Sequence, residues 1–386
     1  MHRDDPPLPS DRLVAATYFV LLSATGAWVP YLAPWLRSAG FDAWWIGTIS
    51  AAMAAVRLVS GPLWGIVADA TQRTARLLVV ASLLGAIAAI LALLSGSATW
   101  IVAGLLLGAL ARAPVGSLLD AVVVRILEAR SDPGRYGRLR LWGSVGFLVA
   151  GALAAGLSEL SPVLPLWLAV ACLLGGAFAS RHLPDVRPTT TGTAFLPALV
   201  LLVRSPRMAV LWASATLHGT ALSAYDSFYS LHIAELGLPA RWTGAALVAG
   251  VAAEIAMFAV ARPWIARADP LLWIAGASAL SAVRWTVTGT ATDPWLLTAT
   301  ALLHGLTFGA WWMGFVEVLR KDLQPETRAS AQAMVASTAY GLGPMCCGLL
   351  AARLESTAAL YYWSAGFGVM AALLALLARR IPAPPT

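Results

Sequence analysis

Several ionisable side chains lie inside long apolar stretches of this sequence, where a charged group is costly. An ionised side chain at the centre of a helix in hydrocarbon costs at least about 2.5–3.5 kcal/mol, so each one needs a partner or a task. A carboxylate that moves between a buried setting and a neighbouring arginine can load and release a proton, and imidazole can do so near neutral pH. The apolar stretches contain Arg57, Arg112, Asp120, Asp226, Glu254, Arg284 and His304. These residue types predict a polar site inside an otherwise apolar protein.

The charges of these groups balance. Three are arginines and three are carboxylic acids, so their formal charges cancel. We therefore expect internally paired groups that face a cavity. For Glu254, a purely structural pair with Arg57 or Arg284 is the alternative to a functional role.

The composition of the chain is that of a protein surrounded by lipid. Of its 386 residues, 59% are hydrophobic and 12% are charged, and the mean hydropathy is +0.75, whereas soluble domains are about 25% charged. The net charge of +7 is spread in small groups between apolar stretches, whereas a nucleic-acid binder gathers its basic residues in one patch. We expect an integral membrane protein in contact with the lipid bilayer and without a nucleic-acid partner.

The sequence lacks the common patterns of catalytic and metal sites. It contains no Walker A loop, HExxH motif, paired-cysteine site or nucleophile elbow, and its predicted loops are too short for a catalytic domain. Its three cysteines, Cys172, Cys346 and Cys347, show no metal-ligand spacing. We therefore expect no enzyme activity, no metal and no cofactor. The first apolar stretch is too long for a signal peptide, and we interpret it as a retained helix.

Twelve segments have the length and composition of membrane-spanning helices, which need about 20 mostly apolar residues. They predict an all-α integral membrane fold with twelve transmembrane helices in two six-helix bundles. The segments are about Leu13–Trp35, Trp45–Ala68, Leu77–Leu94, Thr99–Val124, Leu139–Leu157, Val163–Ala179, Met208–Ile233, Trp242–Val260, Leu271–Gly289, Trp295–Val318, Ala331–Ala352 and Ala358–Ala378. The predicted domains are a cytoplasmic tail at 1–12, an N-terminal bundle at 13–181, a cytoplasmic linker at 182–207, a C-terminal bundle at 208–379 and a cytoplasmic tail at 380–386.

The distribution of basic residues predicts the orientation. If both termini are cytoplasmic, 20 of the 26 Lys and Arg residues lie in segments on that side and three lie on the other side. Cytoplasmic loops of membrane proteins are the basic ones. We therefore expect a multi-pass protein of the plasma membrane, the inner membrane of a bacterium, with both termini in the cytoplasm.

The two halves of the chain resemble each other at a constant offset of 197 positions. At this offset Gly40 aligns with Gly237, Trp45 with Trp242, Gly47 with Gly244, Gly108 with Gly305, Arg57 with Glu254 and Asp120 with Glu317. The offset predicts duplicated bundles, and parallel repeats of this kind place a substrate site at their interface near the middle of the membrane.

Segment two ends in GPLWGIVAD, from Gly61 to Asp69, and Arg73 follows it. This motif resembles the helix 2–3 signature of the major facilitator superfamily. The resemblance implies that Gly65 lets helices approach closely, and that Asp69 and Arg73 belong to a cytoplasmic gate. The alternative is a topology marker without a role in transport.

Five further motifs occur in an order that resembles the phenylpropionate-permease branch of this superfamily, which is related to lactose permease. They are YLAPWLRSAG, YGRLRLWGSVGF, GVAAEIAMF, AVRW and LLHGLTFG, and the similarity covers about Leu13 to Ala378. The resemblance implies two six-helix bundles, a central cavity and proton-coupled uptake of a solute.

The resemblance also implies roles for individual residues. Asp120 and Arg140 correspond to a carboxylate and an arginine that hold the sugar in lactose permease, and Trp142 could stack on a planar substrate. A gate ion pair with a lipid-facing aromatic ring is the alternative. Arg57 and Arg112 complete the predicted substrate-binding set.

A second set is predicted to couple transport to protons: Glu254, His304, Arg284 and Asp226. Arg284 and His304 match the coupling arginine and histidine of lactose permease through AVRW and LLHG. The coupling carboxylate of that permease corresponds to Thr307 here, so Glu254 or Asp226 has to replace it. Asp226 could instead neutralise Arg284 or contact the substrate.

The sequence therefore predicts a monomeric secondary transporter that imports a small organic solute, such as an aromatic acid, nucleoside or saccharide, with protons as the coupling ion. A proton-coupled efflux antiporter of the same fold is the nearest alternative. A membrane assembly factor or carrier that does not transport is an alternative of a different class.

Overall fold

The computed structural model describes residues 8–185 and 205–383, and every regular element in these ranges is helical. Most of the predicted linker at 182–207, together with parts of both tails, lies outside the described residues. The helices are α1 (Asp11–Trp28), α2 (Leu32–Ser38), α3 (Ala43–Thr71), α4 (Thr74–Leu94), α5 (Ala98–Arg112), α6 (Val115–Ala129), α7 (Tyr136–Leu160), α8 (Leu164–Ser180), α9 (Pro206–Glu235), α10 (Arg241–Val260), α11 (Arg262–Arg267), α12 (Pro270–Thr290), α13 (Pro294–Ala301), α14 (Trp311–Asp322), α15 (Pro325–Ser337), α16 (Gly343–Ala351) and α17 (Thr357–Arg380).

Each of the twelve predicted segments is helical in the structure. Within the described ranges, nine helices are long and apolar enough to cross a membrane, or ten when α1 and α2 are counted as one span bent by 43°. Pro30 lies in the break between α1 and α2. Proline cannot donate a backbone hydrogen bond to the preceding helical turn, and this explains the bend. The all-α membrane fold is thus confirmed, while the number of twelve spans stays a prediction.

The first compact unit comprises residues up to Trp35 and from Ala55 to Thr191. In this unit, α1 packs against α7 and α8, and α4 packs against α5 and α8. Buried side chains from α1, α4 and α6, including Tyr18, Leu78 and Leu119, form one apolar cluster. This packing holds the inner faces of α1, α6 and α7 close together.

The second compact unit comprises Leu36–Ala54 and the chain from Gly192 onward. In this unit, α17 packs against both α9 and α12, and α10 packs against α13. Its apolar core contains Leu211, Ile274, Trp311 and Phe315.

Residues Leu36–Ala54 belong to the second unit because they pack on its helices. Gly47 and Gly348 allow α3 and α16 to touch backbone to backbone, since a Cβ atom at Gly348 would lie 2.6 Å from the backbone nitrogen of Ala51. In the last turn of α2, Arg37 lies 3.7 Å from the Glu235 carboxylate at the end of α9. The predicted division into bundles at 13–181 and 208–379 stays a prediction.

The backbone supports the internal repeat. Gly40 and Gly237, which the offset of 197 aligns, are the two glycines with positive φ in the described residues, at +89° and +71°. The same offset relates Gly146 in α7 to Gly343 in α16. A Cβ atom at Gly146 would lie 2.8 Å from the Phe19 carbonyl carbon in α1, and one at Gly343 would lie 2.7 Å from the Gly219 carbonyl carbon in α9. Each unit therefore has a close helix crossing at the aligned glycine.

We predict that Gly146→Ala lowers the thermal stability of the detergent-purified protein, because the added methyl group meets the backbone of α1 and cannot be accommodated by a side-chain movement. Overpacking of this kind costs roughly 1–3 kcal/mol. The matched control is Gly156→Ala in the same helix, where nothing lies within 4 Å of the added atom. Equal melting temperatures for the two variants would contradict the close crossing.

Candidate functional site

The second unit holds a polar cluster centred on Arg284. This residue is the fifteenth of the 21 residues of α12, and it is 1% exposed. Its Nη1 lies 3.3 Å from His304 Nδ1 and donates a hydrogen bond of 3.1 Å to Thr307 Oγ1. A guanidinium has only donors, so Nδ1 of His304 must act as an acceptor toward it. A neutral His304 therefore carries its proton on Nε2.

The other nitrogen of His304 faces the acid in α10. His304 Nε2 lies 3.5 Å from Glu254 Oε2. The two side chains are mostly but not completely buried, at 11% and 21% exposed. Arg284, His304 and Glu254 thus form a continuous polar chain in which the imidazole N–H points toward the carboxylate.

Aromatic rings complete the surroundings of Arg284. Its Cζ lies 4.3 Å from the ring centroid of Tyr225 and 4.4 Å from that of Trp285, distances at which a cation is attracted to a ring face. Within the described residues, Nε and Nη2 of Arg284 have no hydrogen-bond partner. Asp226, next to Tyr225 on α9, lies within electrostatic range of His304, Arg284 and Glu254. The structure therefore brings the four predicted proton-coupling residues together.

A widened helical turn positions His304. The residue directly precedes a π-helix at Gly305–Ala310, and such turns are frequent at functional sites. A Cβ atom at Gly305 would lie 2.8 Å from the Ala253 carbonyl carbon, so the glycine lets α10 approach closely. Since Ala253 immediately precedes Glu254, this approach brings the carboxylate within reach of the imidazole.

Sequence reasoning missed several groups that support the cluster. It treated Thr307 as a departure from the permease pattern, yet Thr307 accepts a hydrogen bond from Arg284, and its carbonyl lies 2.8 Å from His218 Nε2. The other nitrogen of His218 lies 3.1 Å from Ser278 Oγ, and its ring stacks on Trp311 at 4.6 Å. The small-residue spacing of Gly305 and Gly309 is the signal that could have indicated the close helix approach.

A smaller polar cluster lies in the first unit. Tyr18 Oη in α1 donates a hydrogen bond of 2.6 Å to Asp120 Oδ1 in α6, and Arg140 Nε in α7 lies 3.6 Å from the same oxygen. The Arg140 and Asp120 side chains are 38% and 37% exposed. The structure thus brings Asp120 and Arg140 together, and it adds Tyr18, which sequence reasoning had not singled out.

Trp142 does not lie with this cluster. It follows Arg140 by two positions, which places it on roughly the opposite side of a helix with about 3.6 residues per turn. Its side chain is 49% exposed. The structure therefore leaves it on a different face of α7 from Arg140.

Arg57 and Arg112 form a separate pair in the first unit. The guanidinium of Arg112 lies 4.0 Å from the ring centroid of Trp28, and its Nε donates a hydrogen bond of 3.2 Å to the Gly108 carbonyl. Arg57 lies within electrostatic range of Arg112. Within the described residues neither arginine forms a salt bridge. The expected pairing with internal carboxylates is not found for these two.

The residues of the predicted gate motif lie at the end of α3 and the start of α4, with Gly65 and Asp69 in the last two turns of α3. Nothing lies within 4 Å of a Cβ atom added at Gly65, so the close helix approach implied for this glycine is not seen among the described residues, and Asp69 is exposed. Arg73 precedes the first residue of α4. Asp185 caps that helix, because its carboxylate accepts a hydrogen bond of 2.7 Å from the backbone nitrogen of Ala75.

Comparison with known proteins identifies the family. The model of the MFS_1 like family matches residues 12–360. The chain is 29% identical to the maltose permease of Geobacillus stearothermophilus over 372 residues, covering 94% of this chain and 93% of the permease. It is 28% identical to the probable 3-phenylpropionic acid transporter of Escherichia coli (strain K12), covering 78% of this chain and 80% of that protein.

Solved structures show the same fold. The crystal structure of the nucleoside transporter NupG superposes with a TM-score of 0.82 at 19% identity, covering 96% of this chain and 99% of NupG. A bacterial homologue of the human lysosomal transporter Spinster, in an inward-facing and unoccupied conformation, superposes with a TM-score of 0.69 at 14% identity, covering 96% of both chains. Together with the family match, these similarities confirm the expected fold and resemblance. The chain belongs to the MFS_1 like family, and it is a multi-pass membrane transporter of the major facilitator superfamily and not an enzyme.

Proposed function

We propose that this transporter imports a small organic solute together with protons by alternating access. The observation that supports the proposal is the chain of Arg284, His304 and Glu254 in the second unit, with Asp226 in electrostatic range. A charge that stays in the membrane interior at high cost is expected to have a function there, and proton relays are built from such acid and histidine side chains.

The geometry suggests which atom receives the proton. His304 Nδ1 faces the donor Nη1 of Arg284 at 3.3 Å, so a second imidazole proton on Nδ1 would point at another donor and a like charge. The Glu254 carboxylate, at 3.5 Å from His304 Nε2, has free lone pairs and is the place for the incoming proton. In this proposal Glu254 carries the proton, and His304 keeps the carboxylate oriented while its own protonation does not change.

The first unit supplies groups for the solute. Asp120 accepts a hydrogen bond from Tyr18 and lies beside Arg140. The hydrogen-bond donors of a guanidinium and the acceptors of a carboxylate are therefore close together. Such groups bind hydroxyl or carboxyl functions of a cargo. The similar proteins are named for maltose, 3-phenylpropionic acid and nucleosides, and these names agree with the three solute classes proposed from the sequence.

The remaining features of the proposal concern location and assembly. The placement of 20 of the 26 basic residues on one side supports cytoplasmic termini in a bacterial inner membrane. We propose that the chain acts as a monomer, because a single chain contains both of the repeats that alternating access requires.

We predict that Glu254→Gln abolishes proton-driven accumulation of the solute but preserves binding and exchange. Glutamine keeps the shape and hydrogen-bonding capacity of the side chain but cannot take up the transported proton. The measurement is uptake of labelled solute into proteoliposomes with and without an inward proton gradient. Glu159→Gln, at an exposed position in α7, serves as the control and should accumulate solute normally.

Three outcomes of this experiment would contradict the proposal. Accumulation by Glu254→Gln against a concentration gradient would rule out the proton role of Glu254. Wild-type transport that runs outward when protons run inward would show an efflux antiporter, and transport that is indifferent to the gradient would exclude proton coupling.

We predict that Tyr18→Phe weakens binding of the solute and leaves proton coupling intact. The change removes the hydrogen bond of 2.6 Å to Asp120, and hydrogen bonds to charged groups contribute about 1.5–3 kcal/mol when buried. Because Asp120 is partly exposed, we expect KM for uptake to rise several-fold, up to about tenfold. Tyr362→Phe, which removes an exposed hydrogen bond to the Gly289 carbonyl, should leave KM unchanged. A Tyr18→Phe variant with wild-type KM would exclude this site from solute binding.

A further inference from the structure

We propose that the solute is an organic anion and that Arg57 and Arg112 bind its carboxylate. This inference rests on the proposed transport function and specifies the class of its substrate. Among the described residues, these two guanidinium groups lack a salt bridge although they lie within electrostatic range of each other.

Both arginines lie at the middle of their spans. Arg57 is the fifteenth of the 29 residues of α3. Arg112 is the fifteenth of the 32 residues in the span formed by α5 and α6, Ala98–Ala129. At this depth neither side chain is close enough to a membrane surface to extend its charge into the headgroup region, as arginines near helix ends do. An anion has to neutralise them from within the protein.

The first unit offers no carboxylate for this purpose. Asp120 is already held by Tyr18 and Arg140. The other described acids of this unit lie in loops or within the first or last three residues of a helix, and they are Asp11, Asp69, Glu128, Asp132, Glu159 and Asp185. The two arginines thus leave an excess of positive charge in the middle of the unit.

The Arg112 side chain is held in place for binding. Its stem packs against Gly85, where a Cβ atom would lie 2.6 Å from the Arg112 Cγ. Its guanidinium lies over the Trp28 ring, and its Nε donates a hydrogen bond to the Gly108 carbonyl. Within the described part of the chain its terminal nitrogens Nη1 and Nη2 have no hydrogen-bond partner, so they can bind a ligand. Arg57 and Arg112 are both half-buried, so they are not sealed inside the packed helices.

A carboxylate satisfies this arrangement better than a neutral cargo. Its two oxygens can accept from both guanidinium groups, and charge-assisted hydrogen bonds of this kind are about twice as strong as neutral ones. A saccharide or a nucleoside without a charged group would leave two like charges uncompensated. A negative cargo also explains the need for protons, since an anion enters a cell against the membrane potential and accompanying protons cancel its charge.

The internal repeat supports the assignment. The offset of 197 aligns Arg57 with Glu254. The second unit therefore places a carboxylate beside His304 where the first unit places a cation that forms no salt bridge with any described residue. The aligned residues Arg57 and Glu254 thus have opposite charge. This difference is suited to binding an anion in the first unit and a proton in the second.

The test measures binding to the purified full-length protein in detergent, without any gradient, by calorimetry and thermal shift. Two pairs of probes differ only or mainly in charge: 3-phenylpropionate with 3-phenylpropanamide, and glucuronate with glucose. Inorganic phosphate is tested alone. We expect at least one acid to bind more than tenfold tighter than its neutral partner.

Variants connect the preference to the two arginines. Arg57→Gln and Arg112→Gln should each weaken binding of the preferred acid at least tenfold and reduce its advantage over the neutral partner. Arg380→Gln, at an exposed position at the end of α17, is the matched control and should bind normally. Arg57→Lys keeps the charge and should retain part of the preference, which separates loss of charge from loss of folding.

Several results would overturn the inference. Binding of neither acid, or equal affinity for an acid and its neutral partner, would show that the site does not select an anion. Wild-type affinity in Arg57→Gln would show that Arg57 does not bind the acid. Displacement of the bound acid by an equal concentration of inorganic phosphate would show a site for any small anion and not for an organic one. The proposed proton coupling fails separately, since binding in detergent does not depend on it. If acids bind but wild-type accumulation ignores the proton gradient, only the coupling is wrong. If a neutral solute accumulates with protons, only the anion assignment is wrong.

Discussion

The guanidinium of Arg284 imposes the constraint on which the second unit depends. A buried cation without water needs acceptors and aromatic faces around it, because its charge cannot be dispersed into hydrocarbon. His304 Nδ1 and Thr307 Oγ1 face Nη1, and the rings of Tyr225 and Trp285 approach the guanidinium carbon. The π-helix that follows His304 and the close approach of α10 at Gly305 make this arrangement possible. Helix packing and site chemistry are therefore parts of one arrangement.

The repeat duplicates the backbone but not the chemistry. Both units have the same local backbone features at aligned glycines. These features are the positive φ of Gly40 and Gly237 and the close helix crossings at Gly146 and Gly343. Their polar groups differ, since the first unit holds an excess of arginine at mid-span while the second holds acids beside a histidine. A duplicated framework thus gives two environments of opposite charge, which supports a division of the proposed roles between cargo and proton.

Particular residues show how far the sequence was informative. The twelve apolar segments are all helical. The length of an apolar segment is a local property that can be read directly from the sequence. The π-helices at Gly305–Ala310 and Thr338–Leu342 had no expected counterpart, since a widened turn depends on what packs against it. The balanced charges suggested pairs of arginines with carboxylates, but the structure places Glu254 beside His304 instead, and within the described residues Arg57 forms no salt bridge.

The sequence by itself determined the membrane class, the helical segments, the internal repeat and the family, because composition, hydrophobic length and ordered motifs are readable along the chain. Only the tertiary structure decided which polar groups meet. Tyr18 and Asp120 are 102 positions apart, and Arg284 and His304 are 20 apart on different helices. Such partners depend on the rotation and spacing of helices, which close contacts at glycines set, and no local pattern of residues encodes them.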